Sequence, residues 1–495
     1  MDGVAPLSER VCAAAILNLM NRRDFLTQGA LASCVFTVRA ACAASAQNDN
    51  PNAIAVTVHP DQPLGAIAAD FLGLGYEISS VSRPGLLNAA NKVYVQLVRT
   101  LGARGIIRIG GNTSDYASYS AAAAPVSSAE ATVVNDAVLR DLGGFLKATG
   151  WKLIWGLNLG RGSEADAIAE ARAVVQQAGE RLLAFEIGNE PDLFAGAKHR
   201  QPGYSYETWL AEYRRYKAAL RAQFPHIALA GPDTAGHTDW VTRFAADEGK
   251  DAVLLTHHYY REGQNPGSTI EKLLGVDPKL QTQLDRLREA SRSCGLPYRI
   301  CEVNSFSGGG RPGVSDTMAG ALWALDYMFT LAINSCSGIN LETGVNQHDF
   351  ISSYSPIGDD ERGHYSAKPE YYGMLAFSLA GKGQMLKVET DAPSPACKAY
   401  ATQPKEGALT LALINKGAET AAFSVNAGQN IRAKRASVIR LESPAVDAKS
   451  GITLGAAEVT AAGTWKPTKL ETLPVRKGQL GLQLPAASAA ILQIA

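Results

Sequence analysis

Neither sign of charge dominates this chain of 495 residues, in which Lys plus Arg and Asp plus Glu both total 47. So even a balance gives no electrostatic argument for nucleic acid or for an anionic bilayer surface. Cysteine is scarce, with seven in all, and none stands in C-x-x-C spacing or near paired histidines. That argues against a structural zinc site. No apolar run opens into a G-x-G-x-x-G turn, so a dinucleotide fold lacks its phosphate-binding signature. What remains is 46% hydrophobic and 19% charged, an ordinary globular composition in a chain long enough for about two domains. No cofactor, metal or membrane span is expected, and the oligomeric state is left open.

The N-terminus departs from that average. Arg22 and Arg23 precede Phe25-Leu26, a mildly apolar stretch runs to about Val38, and Ala44-Ser45-Ala46 follows. A positive end, a short apolar middle and an A-x-A site describe an export signal over residues 1–46, here of twin-arginine type, with Met20 as the expected start. The alternative is an amphipathic first helix of the folded protein. Leu31-Ala32-Ser33-Cys34 also resembles a lipoprotein cleavage box, so the expected location is periplasmic or secreted, either free or lipid-anchored. Cys12, Cys34 and Cys42 fall in this removable region; Cys294, Cys301, Cys336 and Cys397 read as free buried thiols.

Beyond it, eight short apolar runs alternate with long amphipathic stretches: 71–77, 105–110, 152–159, 183–188, 227–231, 252–257, 298–303 and 338–342. Buried strands alternating with helices imply parallel β-α units, and eight of them imply a closed (β/α)8 barrel over residues 47–385. A doubly wound open sheet is the competing fold. From about Leu386 the strands are spaced by Gly, Asn, Pro and Ser turns, which marks a β-sandwich over 386–495. Polar residues collect where the runs end: Glu77, Asn112, Asn158, Asn189-Glu190, His257 to Tyr260, Glu302 and Glu342. In a parallel barrel those ends open on one face, where such enzymes carry their sites.

Two of these ends carry the chemistry. Glu190 follows Asn189 and precedes Pro191, so a stiffened carboxyl projects over the barrel mouth. Glu302 ends the seventh run. Retaining hydrolysis of a glycosidic bond takes two carboxyl groups about 5–5.5 Å apart, one attacking and one protonating. Carboxylates that close cannot both ionise easily, so one is expected to stay protonated. Glu190 is the expected general acid/base and Glu302 the expected nucleophile. Each alone also fits a plainer role, a surface glutamate before a turn or a barrel ion pair. Tyr259 and Tyr260 are candidates to hold the nucleophile by a phenolic hydroxyl. His257 and His258 point to opposite faces of a strand, so they cannot chelate a metal together. Gly308-Gly309-Gly310 allows backbone N–H groups to approach an anion, or is simply a flexible loop.

At these residues the chain resembles glycoside hydrolase family 79, which includes heparanase and β-glucuronidases. The resemblance is carried by Arg108 to Asn112, Glu186 to Asp192, His257 to Tyr260 and Glu302 to Thr317. It implies a (β/α)8 barrel with a sandwich built from the C-terminal segment and an N-terminal strand. It also implies acid/base Glu190, nucleophile Glu302 and substrate contacts from Asn189, Gly308 and Gly309. Tyr354 is the nearest candidate for the family's carboxylate-binding tyrosine, since Gln347 and His348 occupy that loop and Ser307 stands where heparanase-like members carry tyrosine. Asp115 and Glu77 are expected to line the site.

The favoured activity is exo-β-glucuronidase, acting on a glycan that contains glucuronic acid. An endo-acting heparanase-like enzyme would need a basic cleft, for which Arg161, Lys198, His199, Arg200 and Arg311 are candidates. A barrel enzyme acting on neutral sugars and a non-catalytic carbohydrate-binding protein complete the field.

Overall fold

The computed structural model of the chain describes residues 52–494, apart from 129–130, 348–349, 351, 361, 392–393 and 430. The export-type segment with its paired arginines, and His348, lie outside the described residues. Eight parallel strands form the barrel: Gly73–Glu77, Ile106–Gly110, Lys152–Leu157, Leu182–Ile187, Ala230–Thr234, Leu254–Tyr260, Tyr298–Asn304 and Ile339–Glu342. The ring closes between strands four and five, where Phe185 N–H donates to Ala228 at 2.9 Å and Phe185 bridges Leu229. Strands two and seven are buried at every residue. Helices cover one face and the barrel interior the other, which is why the strands read as unbroken apolar runs.

The interior is layered by the two-residue period of a strand. Near the strand starts, Ile106, Ile154, Ala184, Ala230, Leu254 and Cys301 pack as one apolar layer. Two residues further along strands two and four, the same inward face carries Arg108 and Glu186, both fully buried. The barrel is thus greasy below and charged above.

The helices are closed by local signals. Ser163 and Asp166 form a reciprocal capping box on Glu164–Ala178. Helix Met318–Ile333 is apolar all round because it is covered on all sides. Its first N–H groups, on Met318 and Ala319, donate to the carbonyls of Ala448 and Val446 in the C-terminal region, satisfying donors that a helix start leaves unpaired.

The C-terminal segment forms a ten-stranded, mostly antiparallel sheet into which the N-terminal strand Ile54–Ala66 inserts. That strand pairs antiparallel with Gln384–Thr390 and parallel with Ala421–Asn426. The strands are hydrogen-bonded along one continuous path, and the sheet folds over so that Phe423 and Leu482 from one end share a core with Leu411 and Leu492 from the other. It is a sandwich made by curling one sheet. All four described cysteines are free thiols.

Candidate active site

A cavity of about 600 Å3 opens at the carboxyl ends of the barrel strands, within the size range of small-ligand pockets. Glu190, Glu302, His258, Tyr260, Glu77 and Glu342 face it. Tyr116, Ser128, Leu193, Gly236, Gly263 and Phe350 form its walls.

Its centre is organised by Arg108, whose side chain has no exposed surface. Its guanidinium donates to Glu186 Oε2 at 3.1 Å, Glu302 Oε2 at 2.7 Å, Asn189 Oδ1 at 2.8 Å and Asp233 Oδ2 at 2.6 Å. Burial alone would disfavour this cation, but Asp233, Glu186 and Glu302 outweigh it and hold Arg108 charged. Glu302 is fixed from its other side by Tyr260, whose hydroxyl donates to Oε1 at 2.9 Å. Both oxygens of Glu302 therefore accept a hydrogen bond, which aims the carboxylate.

Glu190 has a different environment. Its Oε1 lies 2.9 Å from His258 Nδ1, and His258 Nε2 lies 2.8 Å from Asp233 Oδ1. With a carboxylate at each ring nitrogen, His258 is held as imidazolium. Burial opposes that charge, yet Asp233 and Glu302 raise its pKa well above the usual histidine value. Glu190 itself is raised from the ordinary carboxyl range, chiefly by burial, with the charge of Glu302 adding to it and His258 opposing. Oxygens of Glu190 and Glu302 lie within 4.8 Å of each other, with a His258 nitrogen inside the same radius.

The backbone pays for this placement. Glu190 (φ 51°) and Asp233 (φ 60°) both adopt left-handed conformations that non-glycine residues rarely take. Glu190 N–H donates to the Asp233 carbonyl at 2.9 Å, tying the two strained positions together. Asp192 braces the facing loop by accepting N–H bonds from Ala235, Gly236 and His237.

The remaining expected residues divide. Gly308, Gly309 and Tyr354 line the cavity. Glu77 faces it too, but accepts from the N–H groups of Asn112 and Thr113 and from the Thr113 hydroxyl. Asn189 is 3% exposed, with its carbonyl on Arg108 and its amide 3.3 Å from Asn112 Oδ1. Two expectations need correcting. Tyr259 borders the cavity but does not hold Glu302, because strand alternation sends its hydroxyl outward to Asp277 at 2.7 Å and its ring onto Tyr327. Asp115 is 1% exposed and accepts the N–H groups of Leu159, Gly160 and Asn189, so it braces the floor behind Asn189. Sequence reasoning gave no role to Asp233 or to the link between His258 and Glu190. Arg108 was legible only as part of a motif, although an arginine inside an apolar strand is itself a signal of a buried carboxylate partner.

Comparison with known proteins agrees with this architecture. Residues 399–491 match the glycosyl hydrolase family 79 C-terminal beta domain. A beta-glucuronidase of Aspergillus niger is 26% identical, over 87% of this chain and 89% of its own length. Heparanase of Rattus norvegicus is 26% identical over 47% of this chain and 45% of its own. Among solved structures, a 4-O-alpha-L-rhamnosyl-beta-D-glucuronidase from Fusarium oxysporum 12S superposes with a TM-score of 0.73 at 17% identity, covering 89% of this chain and all of that one.

Proposed function

We propose that this chain, a glycoside hydrolase of family 79, is a retaining exo-β-glucuronidase that works by double displacement through Glu302 and Glu190. The observation that carries the mechanism is the approach of the two carboxyl groups, with oxygens within 4.8 Å. Retaining enzymes hold their pair about 5–5.5 Å apart, whereas inverting ones leave room for a water between them. In the first step Glu302 attacks the anomeric carbon, aimed by Arg108 and Tyr260, while Glu190 gives its proton to the leaving oxygen. In the second, Glu190 takes a proton from water, which attacks the same carbon and releases Glu302. His258 and Asp233 stay in place across both steps. They offer Glu190 a cation that tempers the rise in its pKa, so the group can alternate between acid and base.

The sugar is assigned from the relatives named beta-glucuronidase. The endo reading loses support because Arg200 is committed to Glu212 and to the carbonyls of Leu159, Gly160 and His199. None of its proposed basic residues lines the cavity. One observation favours a neutral sugar instead: among the described residues lining the cavity there is no lysine or arginine. Hydrolysis of 4-nitrophenyl β-glucuronide beside the glucoside, xyloside and arabinofuranoside decides. Turnover of the glucuronide is expected, with Glu302→Gln cutting it by roughly 10^4-fold. Turnover of neutral sugars alone would overturn the substrate. The leader of twin-arginine type would carry the folded enzyme out of the cytoplasm. Mass spectrometry of the mature N-terminus would show cleavage near Ala46, a lipidated Cys34, or an intact leader that refutes export. Among the described residues, no helix is long and apolar enough to cross a membrane.

A further inference from the structure

A glucuronide brings a carboxylate into a cavity whose described lining holds five glutamates and no lysine or arginine. The cation that does face the cavity, His258, has both ring nitrogens taken by Glu190 and Asp233, so a neutral donor has to meet that anion. Four of the glutamates are already engaged: Glu77 by Thr113, Glu190 by His258, Glu262 by Lys272, and Glu302 by Arg108 and Tyr260.

The fifth, Glu342, is different. It ends the eighth strand, is 4% exposed, and neither of its carboxyl oxygens makes a close hydrogen bond to the described residues, the backbone N–H of Gly344 alone lending it weak support. Its Oε2 rests over Gly75, where an added Cβ would come within 2.5 Å of it, so the first strand leaves it a seat. Asn304 Nδ2 donates to the carbonyls of Glu342 and Tyr354, at 3.0 and 3.3 Å. Ser353 N–H in turn donates to the Gly309 carbonyl at 2.6 Å. Glu342, Tyr354 and the glycine loop are thus bound to one another along one side of the cavity.

An ionised carboxylate buried with so little donation is costly, and a proton lowers the cost. Burial, together with repulsion from Glu302 and Glu77, raises the pKa of Glu342 well above the usual range. A protonated carboxyl is a hydrogen-bond donor, a use that other enzyme sites make of a buried acid.

We propose that Glu342 selects the acid group of the sugar: as a neutral carboxylic acid it donates a hydrogen bond to the glucuronate carboxylate, beside the N–H groups of Gly308 and Gly309. This deepens the glucuronidase reading and rests on it.

The test compares the unaltered protein with Glu342→Gln, which keeps a neutral donor, and Glu342→Met, which keeps the volume without one. KM and kcat are measured on 4-nitrophenyl β-glucuronide, and thermal melting checks folding. The glutamine variant is expected to keep KM within about threefold, and the methionine variant to raise it by about 10- to 100-fold, the worth of one hydrogen bond to a charged group. A glutamine variant that melts normally but loses as much affinity as the methionine variant would overturn the inference. So would a methionine variant with KM unchanged. Should the methionine variant not fold, the KM of Glu342→Gln decides alone. Absence of glucuronide turnover by the unaltered protein would instead sink the function reading, and this inference with it.

Discussion

Two arginines lie fully buried in the barrel, one near each end, and their surroundings are opposite. Arg299, near the strand starts, donates to Asn340 Oδ1 at 2.6 Å and to the backbone carbonyls of Asp70, Phe71 and Ile339. Arg108, toward the mouth, donates to three carboxylates and one amide oxygen. Burial lowers the pKa of Arg299, whereas the carboxylates around Arg108 raise its own. One cation is dissolved in neutral dipoles and closes the barrel floor. The other is neutralised by carboxylates of the proposed reaction centre. The lesson is that burial alone does not mark a functional residue; the charge of its partners does.

Removing Arg108 is expected to have the largest effect. Arg108→Met leaves Glu186, Asp233 and Glu302 buried without their shared cation, and breaking such a pair from one side costs roughly 3–5 kcal/mol. Glu302 also loses the donor at its Oε2, so kcat is expected to fall by about 10^3-fold, as when a preorganised charge donor is lost. Urea unfolding and steady-state kinetics read the two losses. Retained activity would mean that Arg108 serves the fold alone and that the comparison is false.

Asp233→Asn is expected to act next most strongly, through pH. Asp233 is the strongest influence keeping His258 charged against its burial. Without that carboxylate the imidazole loses its proton more easily, and the pKa of Glu190 rises because His258 no longer lowers it. The alkaline limb of kcat/KM reports loss of the acid's proton, so it should move to higher pH. A limb that stays fixed or moves down would dissociate His258 from the acid.

Tyr260→Phe removes one bond to Glu302 and leaves Arg108 on it. A hydrogen bond to a charged group is worth about 1.5–3 kcal/mol, so kcat/KM should fall by about 10- to 100-fold with melting little changed. Tyr259→Phe, whose hydroxyl reaches Asp277 outside the cavity, should leave the rate within about twofold. Equal losses in the two variants would contradict the strand geometry.

That pair also marks the limit of what the sequence discloses. The eight runs were legible because a parallel strand buried on both faces has to be apolar throughout, and Glu190 and Glu302 were legible because they sit where such runs stop. The choice between Tyr259 and Tyr260 was not, since it depends on strand parity, and the register of strand six shifts between His257 and His258. Asp115 looked like a cavity residue by position, but its carboxylate turns back to three N–H groups, a fold that only the loop geometry reveals. The Arg108 cluster joins residues 78 to 194 positions apart, and nothing local in the chain announces those partners. Sequence periodicity finds the layer a residue belongs to; it does not find what that layer assembles.

Arg299→Met carries the smallest expected effect on catalysis and tests the other half of the comparison. The variant would leave the carbonyls of Phe71 and Ile339 and the Asn340 oxygen without this donor, each costing about 1–3 kcal/mol if it stays dry. Set against that is the relief of removing a buried cation that has no carboxylate bonded to it, so the net loss should sit at the lower end, about 1–3 kcal/mol. Gly338 belongs to the same device, since a side chain there would collide with the guanidinium. Because Arg299 acts at the strand starts, kcat/KM measured below the melting transition should stay within about twofold of the unaltered protein. A large fall in kcat with normal melting would mean that the floor of the barrel transmits its geometry to Glu302 through the rest of strand seven. The two arginines would then be one apparatus, and the division between floor and mouth would dissolve.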